Sequence, residues 1–262
     1  MTVLTLDGLL AVADVLGVQT FPVVLTVVPK HDHIDTRDRA RRAALDQLAA
    51  DRVIDQYGDV DEELAVAVRT LARPDRELVA RIYAPDGLRR VCLARRGLAH
   101  VVAERTGDDF DVRTVWGEED PAVLVRPLLA ALGFREPIEL APFTVPSDTM
   151  CARLDAARTS SEFADLAYHF GLAERDSVEF GMAMANCHTH AEIAAYRHDD
   201  GVTRRSAAGV AVYDTDRGRL VAGPGRTVEG QRWSTFAPGT DHRLAQAISA
   251  LIASLPGERW MS

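Results

Sequence analysis

Three runs of strand length near the C-terminus are separated by polar turn segments, and the first two are apolar apart from Arg219, a pattern typical of β-strands. The runs cover residues 209–213, 219–223 and 232–236 and are rich in β-branched and aromatic side chains. Turn-forming residues separate them at 214–218 and at 228–230. This stretch is therefore predicted to be an antiparallel meander.

A helix is predicted to close the meander. Pro238-Gly239 stops the third strand, and Thr240 has the side chain of a helix N-cap. Pro256-Gly257 ends the helix. The apolar positions between them recur at helical spacing and share one face: Leu244, Ile248, Leu251, Ile252 and Leu255.

The same order of elements occurs earlier in the chain. Strand-like runs at 91–95, 97–103 and 110–116 precede a helix that begins at Asp120-Pro121 and ends at Gly133. A constant offset of 121 residues relates three matches: Arg105-Thr106 with Arg226-Thr227, Thr114 with Thr235, and Asp120 with Asp241. The shared order predicts an internal repeat.

Helices are predicted before each meander, so each half reads as helices, about four antiparallel strands and a closing helix. Two residue pairs have the spacing of capping boxes, Asp59 with Glu62 and Thr159 with Glu162. Three prolines keep residues 133–146 extended, which predicts a linker.

We expect an α+β fold with a quasi-two-fold repeat, each half a mainly antiparallel central β-sheet with flanking helices. The halves would cover residues 1–136 and 137–262 of one continuous globular unit.

Composition narrows the classes of function. A formal net charge of −9 argues against nucleic acid as a partner, because phosphate binding needs a basic face. Three cysteines are an odd number and indicate free thiols in a reducing cytoplasm. The N-terminus lacks a secretion signal, and no apolar run approaches the roughly 20 residues of a spanning helix. The protein is predicted to be cytoplasmic, without membrane insertion.

Two histidine-containing segments resemble metal sites. In Cys187-His188-Thr189-His190 the two imidazoles would share a strand face. Zinc needs further protein ligands, and the other candidate, His31-Asp32-His33, lies in the other half and has no cysteine. We therefore expect no bound metal and interpret these histidines as surface or half-buried imidazoles.

No motif in the sequence indicates catalysis. Gly223-Pro224-Gly225-Arg226 lies between two predicted strands, whereas a phosphate loop leads into a helix N-terminus. A turn or bulge explains those glycines better. Asp214, Asp216 and Asp241 fit turn and helix-start roles.

We expect no cofactor and no enzymatic activity. The alternatives are an enzyme with an unrecognised site between the halves and a homo-oligomeric scaffold, such as a homodimer.

The C-terminal segment resembles the EspG family, the chaperones of mycobacterial type VII (ESX) secretion systems. The residues that carry the resemblance are the D-x-x-R-G-R turn at Asp214–Arg219, the strand with Trp233, and Ala237-Pro238-Gly239-Thr240-Asp241. The opening Leu4-Thr5-Leu6-Asp7 and Pro22 after Phe21 are also similar. The long loop expected between the early strands is short here, at Pro85–Gly87.

The resemblance implies a quasi-two-fold α+β fold and a cytosolic, non-enzymatic chaperone without metal or cofactor. It implies binding to a PE–PPE heterodimer, whose apolar PPE tip is shielded until the secretion machinery takes it over. An apolar tip of this kind would aggregate if it stayed exposed. One sheet face without covering helices would provide the docking surface.

Arginines cluster around the predicted hairpins: Arg89, Arg90, Arg95, Arg96, Arg204, Arg205, Arg217 and Arg219. They either protect strand edges from aggregation or form a rim of donors around a docking face. Strand alternation predicts that Val221, Gly223, Arg232 and Ser234 point outward together, with Gly223 and Gly225 letting a partner backbone approach closely. The predicted partner-binding set is Arg89, Arg204, Arg219, Val221, Gly223, Gly225, Arg232 and Ser234.

Overall fold

The computed structural model describes residues 2–116, 120–225, 231–257 and 259–261. The predicted turn at 228–230 and the Arg226-Thr227 match of the repeat lie outside these residues. The chain divides into two compact units. Unit 1 comprises residues 1–81, 87–117 and 196–203, and unit 2 comprises residues 82–86, 118–195 and 204–262.

Helical elements make up much of the first part of unit 1. They are α1 (Leu6–Val15), a 3-10 turn (Val23–Leu25), α2 (Ile34–Ala50) and α3 (Glu62–Ala72). The capping box predicted at Asp59 is wrong, because Asp61 is the N-cap of α3 and accepts a hydrogen bond from the Leu64 N–H at 3.0 Å.

The strands that lie mainly in unit 1 form a largely antiparallel sheet; residues 82–84, at the end of one of them, belong to unit 2. They are β1 (Thr2–Thr5), β2 (Arg76–Ala84), β3 (Gly87–Arg96), β4 (Ala99–Thr106) and β5 (Asp109–Val115), in the order β1-β5-β4-β3-β2. Residues on both faces of β3 and β4 are buried, among them Cys92, Leu93, Val101 and Val102. Apolar side chains from α1 and α3, such as Leu9 and Val68, are buried with them in this unit.

The helices of unit 2 are α4 (Pro121–Leu124), α5 (Arg126–Leu132), α6 (Ser147–Ala156), α7 (Ser160–His169), α8 (Glu174–Ala185) and α9 (Asp241–Ala253). The single helix predicted from Asp120 to Gly133 is wrong. The chain forms two short helices there, and Pro127 occupies the first turn of the second, a position that proline tolerates. The caps predicted at Thr159 and Thr240 are confirmed, the former as a complete capping box with Glu162.

The strands that lie mainly or partly in unit 2 are β6 (Phe143–Pro146), β7 (Cys187–Asp199), β8 (Val202–Arg205), β9 (Val210–Thr215), β10 (Gly218–Pro224) and β11 (Trp233–Pro238). Residues 196–199 of β7 and 202–203 of β8 belong to unit 1. Their order is β7-β9-β10-β11-β6, and β8 pairs with β7. The predicted linker therefore contributes an edge strand, β6, which pairs antiparallel with β11.

The α+β class and the mainly antiparallel pairing predicted from the sequence are confirmed. The quasi-two-fold repeat and the division at residues 136 and 137 stay predictions. No helix among the described residues has the length and apolar character needed to cross a membrane.

Candidate partner-binding surface

Arg219, predicted to contact a partner, is buried in unit 2. Its guanidinium donates to both carboxylate oxygens of Asp214, at 2.6 and 2.9 Å. Arg219 is 2% exposed and Asp214 is 4% exposed, so water does not reach the pair. The Arg219 Nη2 also donates to the carbonyl oxygen of Gly133 at 3.0 Å. The predicted surface position of Arg219 is therefore wrong, because a buried ion pair with Asp214 holds it inside.

The backbone around this ion pair explains the D-x-x-R-G-R turn. The Arg219 N–H donates to the Glu136 carbonyl at 2.7 Å, and the Ile138 N–H donates to the Arg219 carbonyl at 3.0 Å. Gly218 has φ +120°, and a Cβ there would lie 2.7 Å from the Ile138 nitrogen. There is even less space for a side chain at Gly239, where a Cβ would lie 2.2 Å from the Arg219 Cγ. These backbone hydrogen bonds therefore join the start of β10 to residues 136–138, which follow α5.

Val221 and Gly223 are buried, so their predicted exposure is wrong. A Cβ on Gly223 would lie 2.6 Å from the Ala247 Cβ of α9. On the opposite face, Leu220 and Ala222 belong to the core that β10 shares with α6, α7 and α8. Helices therefore cover both faces of β10, and a partner cannot lie flat on this strand.

The register of β10 with β11 explains why these residues do not point to the predicted face of the sheet. Gly223 pairs with Thr235, and Pro224 pairs with Ser234. Cross-strand partners point to the same face, so Gly223 and Ser234 point to opposite faces. The four residues predicted to point outward together are therefore divided between two faces.

Gly225, Arg232 and Ser234 lie together at one end of β10 and β11. The Arg232 guanidinium donates to the Asp148 carboxylate at 2.7 Å and to the Ala207 carbonyl at 3.1 Å. The Ser234 and Ser147 hydroxyls are 2.7 Å apart. Arg204 is exposed on β8, and Arg89 is half-buried on β3 of unit 1.

An accessible part of the sheet face lies at β7. His190 pairs with Tyr213 and Glu192 pairs with Ala211, so these side chains share one face. Tyr213 in turn pairs with Leu220, which places this face on the side that α6, α7 and α8 cover. His190 and Glu192 are nevertheless exposed. The helices therefore do not cover His190 and Glu192, and this part of the sheet face is accessible.

Helix α6 packs against the same core as Tyr213, the β9 residue that pairs with His190 of β7. Met150 and Leu154 pack into the core together with Tyr213, and the exposed Cys151 and Asp155 each follow one of them by one residue. Asp148, Cys151 and Asp155 have the spacing of one helix face. Burial raises the pKa of the Cys151 thiol, and the nearby Asp155 and Asp148 raise it further. The outer face of α6 therefore presents an acidic stripe.

Two tyrosine side chains, Tyr213 and Tyr83, lie next to His190 on this sheet face. Burial raises the pKa of Tyr213 to about 12, and Cys151, Cys187, Glu192 and Asp155 add to the effect. Tyr83 stacks on His190 with ring centroids 4.6 Å apart and an angle of 14° between the planes. We define the β7 surface as Tyr83, Cys151, Asp155, His190, Glu192 and Tyr213, all in unit 2.

The histidines of the Cys187–His190 segment have other partners. His188 lies 3.2 Å from Arg135 and 3.1 Å from the Thr189 hydroxyl, while His190 stacks on Tyr83. Within the described ranges no group of three His, Cys, Asp or Glu side chains could hold a metal ion. These contacts agree with the interpretation of the imidazoles as surface or half-buried side chains.

The sequence interpretation missed the residues of the β7 surface. The predicted partner contacts lie instead mainly on β10 and β11. The spacing of Asp148, Cys151 and Asp155 is readable in the sequence as one exposed helix face. The position of that face beside β7 depends on tertiary packing and left no local signal.

Comparison with known proteins gives a consistent result. The model of the EspG family matches residues 5–250. EspG1 of Mycobacterium tuberculosis, an ESX-1 secretion-associated protein, is 33% identical over 261 residues, which is 98% of this chain and 88% of the relative. EspG3 of Mycolicibacterium smegmatis, an ESX-3 secretion-associated protein, is 29% identical over 260 residues, 98% of this chain and 88% of the relative.

A solved structure has the same fold. It is that of the Mycobacterium tuberculosis type VII secretion system chaperone EspG5 in complex with the PE25-PPE41 dimer. The two chains superpose with a TM-score of 0.82 at 20% sequence identity, over 100% of this chain and 99% of EspG5.

Proposed function

The chain belongs to the EspG family, and on that premise we propose that it is a cytoplasmic chaperone that binds a PE–PPE heterodimer and delivers it to a type VII secretion system. The cargo docks on the β7 surface, where the chaperone shields the apolar tip of the PPE protein. The function is binding and transfer, and the chain acts as a non-enzymatic protein.

The observation that carries this proposal is the family match over residues 5–250. Its partner class is supported by EspG5, which has the same fold and was solved bound to PE25-PPE41. The secretion role is supported by the EspG1 and EspG3 relatives, both secretion-associated proteins.

The location of the docking surface is supported by the arrangement of unit 2. A protein interface needs apolar or aromatic anchors surrounded by polar groups. Tyr83 and Tyr213 are half-buried and supply the aromatic part, while His190 and Glu192 supply the polar part. β10, by contrast, has helices on both faces. The β7 surface is therefore the better location for a cargo tip.

Co-expression tests the proposal. The chain is produced together with each PE–PPE pair encoded in its source genome, and the products are separated by size-exclusion chromatography. We expect one complex that contains the chain and one PE–PPE heterodimer. If the chain elutes alone in every case, or only as a dimer of itself, the chaperone proposal is wrong and the scaffold alternative is favoured.

A further inference from the structure

Phe134 is the most exposed large apolar side chain among the residues of unit 2 that the structure describes, with 88% of its surface accessible. It directly follows Gly133, the C-cap of α5, whose φ of +74° turns the chain away from the helix. A phenylalanine ring in water is unfavourable, but single apolar residues are common on protein surfaces. A role for Phe134 is indicated by the segment that carries it, which is held rigidly.

Hydrogen bonds to one residue, Arg219, hold this segment on both sides of Phe134. Before the ring, the Gly133 carbonyl accepts from the Arg219 Nη2 at 3.0 Å. After it, the Glu136 carbonyl accepts from the Arg219 N–H at 2.7 Å, and the Ile138 N–H donates to the Arg219 carbonyl at 3.0 Å. The chain is therefore fixed immediately before and shortly after the exposed ring.

The buried ion pair of Arg219 with Asp214 fixes the direction of the guanidinium. Desolvation of both charges offsets much of their attraction, so well-packed apolar residues could replace such a pair at similar stability. Apolar residues could not supply the guanidinium donor that holds the Gly133 carbonyl. The pair thus keeps the Phe134 ring in one place, and a partner that binds a ring held in this way loses little conformational entropy.

The same segment contacts the start of β7. The Arg135 guanidinium lies 3.2 Å from the His188 Nε2. The register of β7 with β9 shifts between Cys187 and Thr189, which leaves His188 as an extra residue, as in a β-bulge. His190, a residue of the β7 surface, follows two positions later, about 7 Å along the strand. The segment that carries the exposed ring therefore adjoins the end of the β7 surface.

We propose that Phe134 is an anchor for the cargo, and that the PPE tip receives its ring in an apolar pocket beside the part that contacts the β7 surface. This inference rests on the proposed function, because it adds a binding residue to the surface on which the PE–PPE heterodimer docks. An aromatic ring that fills a pocket of the partner is the kind of residue that dominates the affinity of an interface. Its position next to the β7 surface favours the cargo as the occupant over a second copy of the chain.

The test compares variants of this ring with a matched control. The probe is the PE–PPE heterodimer that forms a complex with the wild-type chain on co-expression. Its Kd is measured by isothermal titration calorimetry for the wild type, Phe134→Ala, Phe134→Leu and Tyr168→Ala. Tyr168 is an aromatic residue of α7 that is 63% exposed and lies outside the β7 surface, so its variant is the control. Each variant should keep the wild-type melting temperature, because both side chains are exposed, and circular dichroism verifies this.

We expect Phe134→Ala to bind at least about 30-fold more weakly, as for an aromatic residue at the centre of an interface. Phe134→Leu keeps most of the apolar surface and should lose less than about fivefold. Tyr168→Ala should bind within about twofold of the wild type. With the photoreactive amino acid p-benzoylphenylalanine at position 134, irradiation of the complex should crosslink the chain to the PPE protein, and the same group at position 168 should give no such crosslink.

Wild-type affinity of Phe134→Ala would overturn the inference. If Cys151→Trp still prevents binding in that case, the cargo uses the β7 surface without Phe134 and the proposed function stands. An equal loss in Tyr168→Ala would also overturn it, because exposed aromatic surface in general would then account for the effect. A crosslink from position 134 to a second copy of the chain, with none to the PPE protein, would assign the ring to a contact between copies. If the wild-type chain binds no PE–PPE heterodimer at all, the proposed function fails and this inference fails with it.

Discussion

The guanidinium of Arg219 and the carboxylate of Asp214 form a buried ion pair, with both carboxylate oxygens within 2.9 Å of a guanidinium nitrogen. The same guanidinium donates to the Gly133 carbonyl, so the pair links β9 and β10 to the segment that follows α5. Arg219 is therefore a structural residue in unit 2, although the sequence places it in a cluster of hairpin arginines.

Removing one partner of this ion pair should strongly destabilise the protein. Arg219→Met leaves the Asp214 carboxylate buried without a cation, which is expected to lower the free energy of unfolding by about 3–5 kcal/mol. Arg232→Met is the control, because Arg232 and its partner Asp148 have side chains that are 53% and 79% exposed. It should cost less than about 1 kcal/mol. Urea denaturation measures both, and equal stability of the two variants would contradict the account.

Gly223 provides a second test of the packing. Since a Cβ there would lie 2.6 Å from that of Ala247, Gly223→Ala should destabilise the protein by about 1–3 kcal/mol. Ala247→Gly removes the opposing methyl group, so the double variant should be more stable than the sum of the two single changes predicts. Thermal denaturation of the four proteins measures the coupling. Strict additivity would show that the two positions do not touch.

Gly223→Glu has a different expected outcome from the one that the sequence suggests. On an exposed strand face this change would block a partner and leave the fold intact. At the observed position it places a carboxylate between β10 and α9, so we expect loss of folding. A soluble variant with the wild-type melting temperature would show that Gly223 is exposed, and Gly223 would again be a candidate partner contact.

The strands and helices of unit 2 follow from local patterns in the sequence. The apolar runs at residues 209–213 and 219–223, with turn residues between them, predicted β9 and β10. Thr159 and Thr240 predicted two helix starts, because the N-cap hydrogen bond is a local interaction. The face to which Gly223 points could not be predicted. It depends on the pairing of Gly223 with Thr235, and a shift of one residue would reverse every side chain of the strand.

The β7 surface could not be predicted for a related reason. Cys151 and Asp155 lie on α6, whereas His190 and Glu192 lie on β7. The packing of Met150 and Leu154 places α6 on the core that Tyr213 joins, and Tyr213 pairs with His190. The buried position of Arg219 also depends on non-local contacts, since Gly133 is far from it in sequence. Interactions of this kind leave no periodicity in the chain.

The three cysteines should differ in reactivity toward a maleimide. Cys151 is exposed, Cys187 is half-buried and Cys92 is buried, so Cys151 should react first. Burial and the neighbouring carboxylates raise its pKa, which leaves less thiolate at neutral pH. The labelling rate should therefore keep rising with pH above about 8.5, the ordinary pKa of a cysteine. Mass spectrometry of timed samples identifies the labelled residue, and a plateau at lower pH would contradict the raised pKa.

Bound cargo should slow this labelling, because Cys151 belongs to the β7 surface. The same time course is repeated with the saturated PE–PPE complex, and Cys151→Ser controls for labelling elsewhere. Equal rates for the bound and unbound chain would show that the cargo leaves Cys151 accessible.

The central claim is that cargo binds the β7 surface, and a pair of tryptophan variants on α6 tests it most directly. Cys151 and Ala152 are adjacent exposed residues, but they point about 100° apart around the helix, so only Cys151 lies on the face of the acidic stripe. The measurement is the Kd of the co-purified PE–PPE heterodimer for Cys151→Trp and for Ala152→Trp, both with a wild-type melting temperature. We predict a loss of at least about 100-fold for Cys151→Trp and a change within about twofold for Ala152→Trp. Wild-type affinity of a folded Cys151→Trp protein would contradict the claim and place the cargo elsewhere on the chaperone.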